Sequence, residues 1–148
     1  VKFGVENMFQ VDARRKYIID DTCSRLYDFI RYVDTLNSPW AVACLDIGHA
    51  EMYGLGTSAV EMLDALGGYT QSLHIHDNDC KRDLHQIPFA GSIDWNEVVK
   101  ALKDIDYKGE FTLEADSFLG SYNAENVFEG VQALAASAKK LVEMFENA

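Results

Sequence analysis

Acids and histidines recur in this 148-residue sequence where short apolar runs end. Val5-Glu6-Asn7 closes the first run, Leu45-Asp46-Ile47-Gly48-His49 the second, Leu73-His74-Ile75-His76-Asp77-Asn78 the third and Leu113-Glu114 the fourth. In a strand alternate residues share a face, which pairs Gly4 with Glu6, His74 with His76 and Thr112 with Glu114. Glu6, Asp46, His74 and Glu114 can therefore point at a common centre. Oxygen donors with one imidazole suit a hard or borderline divalent cation: Mn²⁺, Mg²⁺, Co²⁺ or Zn²⁺. Without a cation the three carboxylates would repel one another. A salt-bridged cluster without metal is the alternative.

The elements that must carry these residues are legible as four strand–helix pairs. Strands are expected at 2–6, 41–46, 72–77 and 110–114, and helices at 20–36, 58–66, 94–105 and 125–147. Cys23, Leu26, Ile30 and Val33 give the first helix an apolar face, and Val127, Val131, Leu134, Ala138, Leu141 and Phe145 give the last one its own. Gly67-Gly68 stops the second helix, and Asp94 with Glu97 resembles a capping box at the start of the third. Trp40 and Trp95 read as core packing. The order βαβαβαβα implies an α/β fold with a parallel sheet and helices outside it. A doubly wound sheet and a (β/α) barrel both satisfy it. The recurrence every ~35 residues matches a barrel unit, of which four make half a barrel. In either fold the strand ends gather on one face, where active sites lie.

Composition narrows the partners. A net charge of −11 and a pI near 4.6 disfavour nucleic acid, which is bound through clustered Lys and Arg. No run is long and apolar enough to span a membrane, and the N-terminus reads as a strand rather than a signal peptide. Cys23, Cys44 and Cys80 are odd in number and unpatterned, as expected of reduced thiols in a cytoplasmic protein. A single domain spanning 1–148 is expected.

Taken in order, Val5-Glu6-Asn7, Leu45-Asp46-Ile47-Gly48-His49, His74-Ile75-His76-Asp77-Asn78, Asp83-Leu84-His85, Pro88 to Trp95 and Leu113-Glu114 resemble the xylose-isomerase-like barrel superfamily, which includes sugar isomerases, ketose 3-epimerases and the endonuclease IV group. The resemblance implies a TIM-type half barrel, units five to eight, with the other four units outside this sequence. Exposed sheet edges then imply a homodimer or higher oligomer. It implies a carbohydrate substrate and a divalent metal held by Glu6, Asp46, one histidine of the third strand and Glu114. The family's His-x-x-Asp spacing favours His74 over His76. Glu6 and Glu114 would be the catalytic acid and base, and His49, His76, Arg82, Asp83 and His85 would bind substrate. Asp83-Leu84-His85 also fits an endonuclease IV-like zinc phosphodiester hydrolase, where such a pair joins a residue like His49 on a further zinc. An inactive half-domain is the third reading. The family usually has Pro-Gly-x-Gly where this sequence has Pro88-Phe89-Ala90-Gly91. Phe89 takes glycine-only conformations at a cost, so a differently shaped loop is expected there.

Overall fold

A computed structural model describes residues 1–148. In chain order its elements are β1 (Phe3–Glu6), β2 (Phe9–Val11), β3 (Ile18–Asp20), α1 (Leu26–Leu36), β4 (Ala41–Asp46), α2 (Ile47–Ala50), α3 (Ala59–Leu66), β5 (Thr70–Ile75), α4 (Trp95–Asp104), β6 (Phe111–Leu113), α5 (Asp116–Leu119) and α6 (Val127–Asn147). Strands β1, β4, β5 and β6 lie side by side in that order, every pair parallel. The order never reverses, so right-handed crossovers carry the long helices to one face. That is the winding of a barrel, and it excludes a doubly wound sheet.

The strands pack their apolar sides against those helices. Ala43, Leu45, Leu73 and Ile75 meet Phe29, Met62, Leu63, Val99 and Leu102 in one buried cluster. Strand β4 is buried along its whole length, as an apolar inner strand must be. The other face carries Gly4, Glu6, Cys44, Asp46, Ser72 and His74, and becomes the inside of the half barrel. Helix ends follow local chemistry. The Ser58 hydroxyl accepts the Glu61 N–H at the start of α3, and Gly67 ends that helix at φ +49°. Asp94 caps α4 by accepting from the N–H groups of Asn96 and Glu97.

Several expectations are corrected. Residues 20–25 are not helix. Asp20 ends β3, which forms an antiparallel hairpin with β2, and α1 starts only at Leu26 because Asp21 and Ser24 tie the intervening turn. Strand β5 ends at Ile75 rather than residue 77, so His76 and Asp77 lie in the loop beyond the sheet. Trp95 is core, but Trp40 is 57% exposed. On α6 five of the six expected apolar positions are buried or half-buried but Val131 is exposed, and Gly130 and Ser137 join the buried side, where Ser137 hydrogen-bonds the Pro88 carbonyl.

Candidate metal-binding active site

The sheet register builds the site. Between Ala43 and Cys44 the pairing of β4 with β5 slips by one residue, and from there Asp46 lies beside His74. Without that shift Asp46 would lie beside Leu73, whose side chain packs against the helices. Glu114 follows β6 and donates its N–H to the Ile75 carbonyl, which extends the ladder to the strand end. One donor atom from each of Glu6, Asp46, His74 and Glu114 then falls within 4.8 Å of all the others. His74 Nδ1 is 3.1 Å from Glu6 Oε1 and 2.8 Å from Glu114 Oε2.

This set is short of positive charge. A single imidazole N–H can point at only one of the two glutamates, and it points at Glu6. Buried Asp46 Oδ2 has no hydrogen-bond donor, and Glu114 Oε2 has only the His74 Nδ1 that it shares with Glu6. Buried carboxylate oxygens normally find one, and leaving them bare is costly. A divalent cation at the centre would satisfy both and relieve the repulsion, so the donor set fits Mn²⁺, Mg²⁺, Co²⁺ or Zn²⁺.

A second group lies directly beside it. His49, His76, Asp83 and His85 also place donor atoms within 4.8 Å of one another. His49 Nδ1 lies 3.0 Å from the Asn7 carbonyl and His85 Nδ1 lies 2.8 Å from the Glu114 carbonyl. With Nδ1–H donated outward, both Nε2 atoms face Asp83, at 3.6 and 3.0 Å. Metal-bound imidazoles are oriented in this way. His76 is fully buried and stacks on His85, ring centroids 4.2 Å apart. Its Nε2 is 3.1 Å from Asp46 Oδ1 and 3.6 Å from Asp83 Oδ1, so it joins the two groups. A set of three imidazoles and one carboxylate suits a borderline ion such as Zn²⁺.

The carboxylates around this group favour the charged form of two of its histidines. Burial by itself would lower the pKa of His49, but the carboxylates of Asp83 and Asp46 and the Asn7 carbonyl push it up to about 9. His85 is raised against the same burial penalty by Asp83 and the Glu114 carbonyl. The folded-state value of His49 lies above its ordinary 6.5, so its protonation stabilises the fold fully below that pH, and the stabilisation is lost as pH rises through about 9. Melting temperature of the metal-free protein is therefore expected to fall between about pH 6.5 and 9 in a thermal-unfolding series. A flat profile would contradict the His49–Asp83 pairing.

A family model described as a xylose isomerase-like TIM barrel matches residues 1–143. The chain belongs to the xylose isomerase-like TIM barrel family. It is 26% identical over 142 residues to the uncharacterized protein y4fM of Sinorhizobium fredii, covering 96% of this chain and 42% of that one. Among solved structures it superposes on a D-tagatose 3-epimerase-like protein with a TM-score of 0.67 at 23% identity, covering 99% of this chain and 49% of that chain. An L-ribulose 3-epimerase gives 0.68 at 17% identity, with 99% and 48% covered. At these identities the likeness establishes the fold. The chain spans about half the length of these relatives.

Within this xylose isomerase-like half barrel, the residues expected to ligate a metal come together as one group, with His74 rather than His76 as its imidazole. Four of the five residues expected to touch substrate form the second group. Arg82 belongs to neither: it is exposed and paired with Asp79 at 2.8 Å. Phe89 takes the backbone conformation that its residue type makes costly. It adopts φ +74°, the left-handed conformation, and its N–H donates to Asp77 Oδ2. Asn7 was not singled out by sequence. It is buried, exchanges two hydrogen bonds with the Asp46 backbone and offers its carbonyl to His49. Its place directly after Glu6 was the available signal. Asn78 similarly donates to the Gly48 carbonyl and holds the turn that carries His49.

Proposed function

We propose that these residues are the C-terminal four units of a metal-dependent sugar or polyol isomerase or epimerase, which works by proton transfer beside a carbonyl. The observation that carries this reading is the convergence of Glu6, Asp46, His74 and Glu114, in which three carboxylates share one imidazole and the buried Asp46 Oδ2 has no donor. A divalent cation held by Glu6, Asp46, His74 and Glu114 would supply Lewis-acid polarisation of the substrate carbonyl. Glu6 stands at the end of one edge strand and Glu114 beyond the other, so a substrate seated between them has a carboxylate on either side. One takes the proton from the carbon next to the carbonyl, and the other delivers a proton to the opposite side. His49, anchored on Asn7, is placed to hydrogen-bond a substrate hydroxyl.

The test uses the full-length protein with Mn²⁺ in deuterated water. The first substrates are D-tagatose and L-ribulose, ketoses named with its structural neighbours. Deuterium appearing next to the carbonyl together with the epimer supports the reading. No exchange across a panel of ketoses and cyclic polyols counts against it.

The second donor group favours one other reading, a zinc phosphodiester hydrolase using two or more adjacent ions. The net charge of −11 argues against a nucleic-acid substrate. Release of nitrophenol from bis(p-nitrophenyl) phosphate by zinc-loaded protein, without ketose exchange, would decide for it.

We also propose that the open edges are covered in solution. Phe3 and Trp40 are exposed beside β1, and Phe128 and Val131 are exposed on α6, which packs against β6. For this 148-residue chain alone, sedimentation equilibrium is expected to give twice 16.6 kDa or more. A monomer at tens of micromolar would contradict this.

A further inference from the structure

Asp77 sits just beyond β5, is fully buried and belongs to neither donor group. Its Oδ1 accepts the N–H groups of Asn78 (2.9 Å) and Ile93 (3.2 Å), and its Oδ2 accepts the Phe89 N–H and the Trp95 indole N–H, both at 2.9 Å. Its backbone exchanges two further hydrogen bonds with Gln86. One residue thus ties both ends of the segment that carries Asp83 and His85.

That segment needs tying. Cys80, His85 and Phe89 all have positive φ, at 61°, 42° and 74°. Side chains in the left-handed region persist only where surrounding contacts over-determine them. A Cβ on Gly91 would lie 2.3 Å from Asp77 Oδ1, so the chain is closed tightly around this carboxylate. Outside Asp77, the segment is pinned by Asn78 on the Gly48 carbonyl, by the Tyr53 N–H on the Cys80 carbonyl, by His85 on the Glu114 carbonyl and by Ser137 on the Pro88 carbonyl.

We propose that Asp77 is a positioning residue: it holds the 78–93 segment so that Asp83 and His85 meet His49 and His76 and complete the second donor group. It acts on that group and not on the Glu6–Asp46–His74–Glu114 group, whose members all sit at strand ends. The proposal rests on the reading of these groups as metal sites only for its second readout.

The chain has four histidines, three in the second group and His74 in the first, so imidazole ¹⁵N–¹H correlation spectra of metal-free protein report each group separately. In Asp77→Asn the amide keeps one acceptor oxygen and turns an NH₂ toward donors. The resonances of His49, His76 and His85 are expected to move while those of His74 stay. Zn²⁺ affinity of the second group is expected to fall about 10–100-fold, with Mn²⁺ affinity of the first group within about two-fold of the parent. Trp95→Phe removes one donor to Asp77 and keeps a buried ring. It should give the same histidine pattern with smaller shifts, and it carries the test where Asp77→Asn fails to fold. Four histidines shifting together, or none in a folded variant, would overturn the proposal. If the parent binds neither ion, the metal reading falls and the histidine pattern still decides the role of Asp77.

Discussion

Full-length protein carrying Glu114→Gln, saturated with Mn²⁺, is expected to epimerise its ketose at least ~100-fold more slowly than the parent, the lower end of what a positioned acid or base contributes. Loss of rate alone would not separate catalysis from damaged metal binding, since Glu114 contacts His74 at 2.8 Å. The informative result is a split. Glu6 can still remove and return a proton on its own side, so one epimer should continue to take up deuterium while conversion to the other stops. Equal loss of exchange and conversion for both epimers would mean that the two carboxylates do not divide the work.

The second large effect concerns a position with no side chain. A Cβ on Gly48 would lie 2.0 Å from the Cε1 atom of His76 and 2.4 Å from both ring nitrogens. His76 cannot retreat, because it is fully buried and stacked on His85. Gly48→Ala is therefore expected to cost about 1–3 kcal/mol, a fall of about 3–12 °C in melting temperature for a chain of this length. It should also break the contact of His76 with Asp46 and abolish zinc binding by the second group. Unchanged melting and unchanged zinc affinity would mean that the junction between the two groups is loose.

Much of this arrangement was legible because it depends on short-range rules. The unbroken apolar run of β4 marks a strand covered on both faces, the strand-end acids mark the active edge, and Asp94 marks the start of α4. What escaped depends on distant parts of the chain. Strands β2 and β3 have three residues each and exist through pairing with one another, which periodicity over so short a run cannot reveal. His76 and Asp77 continue the apparent alternation of β5, yet the backbone leaves the sheet at Ile75, so one becomes the link between donor groups and the other the anchor of a loop. Asp83 and His85 read as substrate contacts or, by the resemblance, as partners of His49 on a further zinc, and it is the folded loop that brings them against His49, more than thirty residues earlier. Phe89 resists reading from propensity alone, since an N–H held by a buried carboxylate offsets its left-handed backbone.

The most direct test of the account is a metal-binding titration of the parent protein and Glu6→Gln with Mn²⁺, followed by elemental analysis of the dialysed complexes. The account predicts about one Mn²⁺ per chain in the parent and almost none in the variant, with the fold retained in both. No Mn²⁺ bound by the parent at low millimolar concentration, or equal binding by the two proteins, would contradict the claim that Glu6, Asp46, His74 and Glu114 form a metal centre.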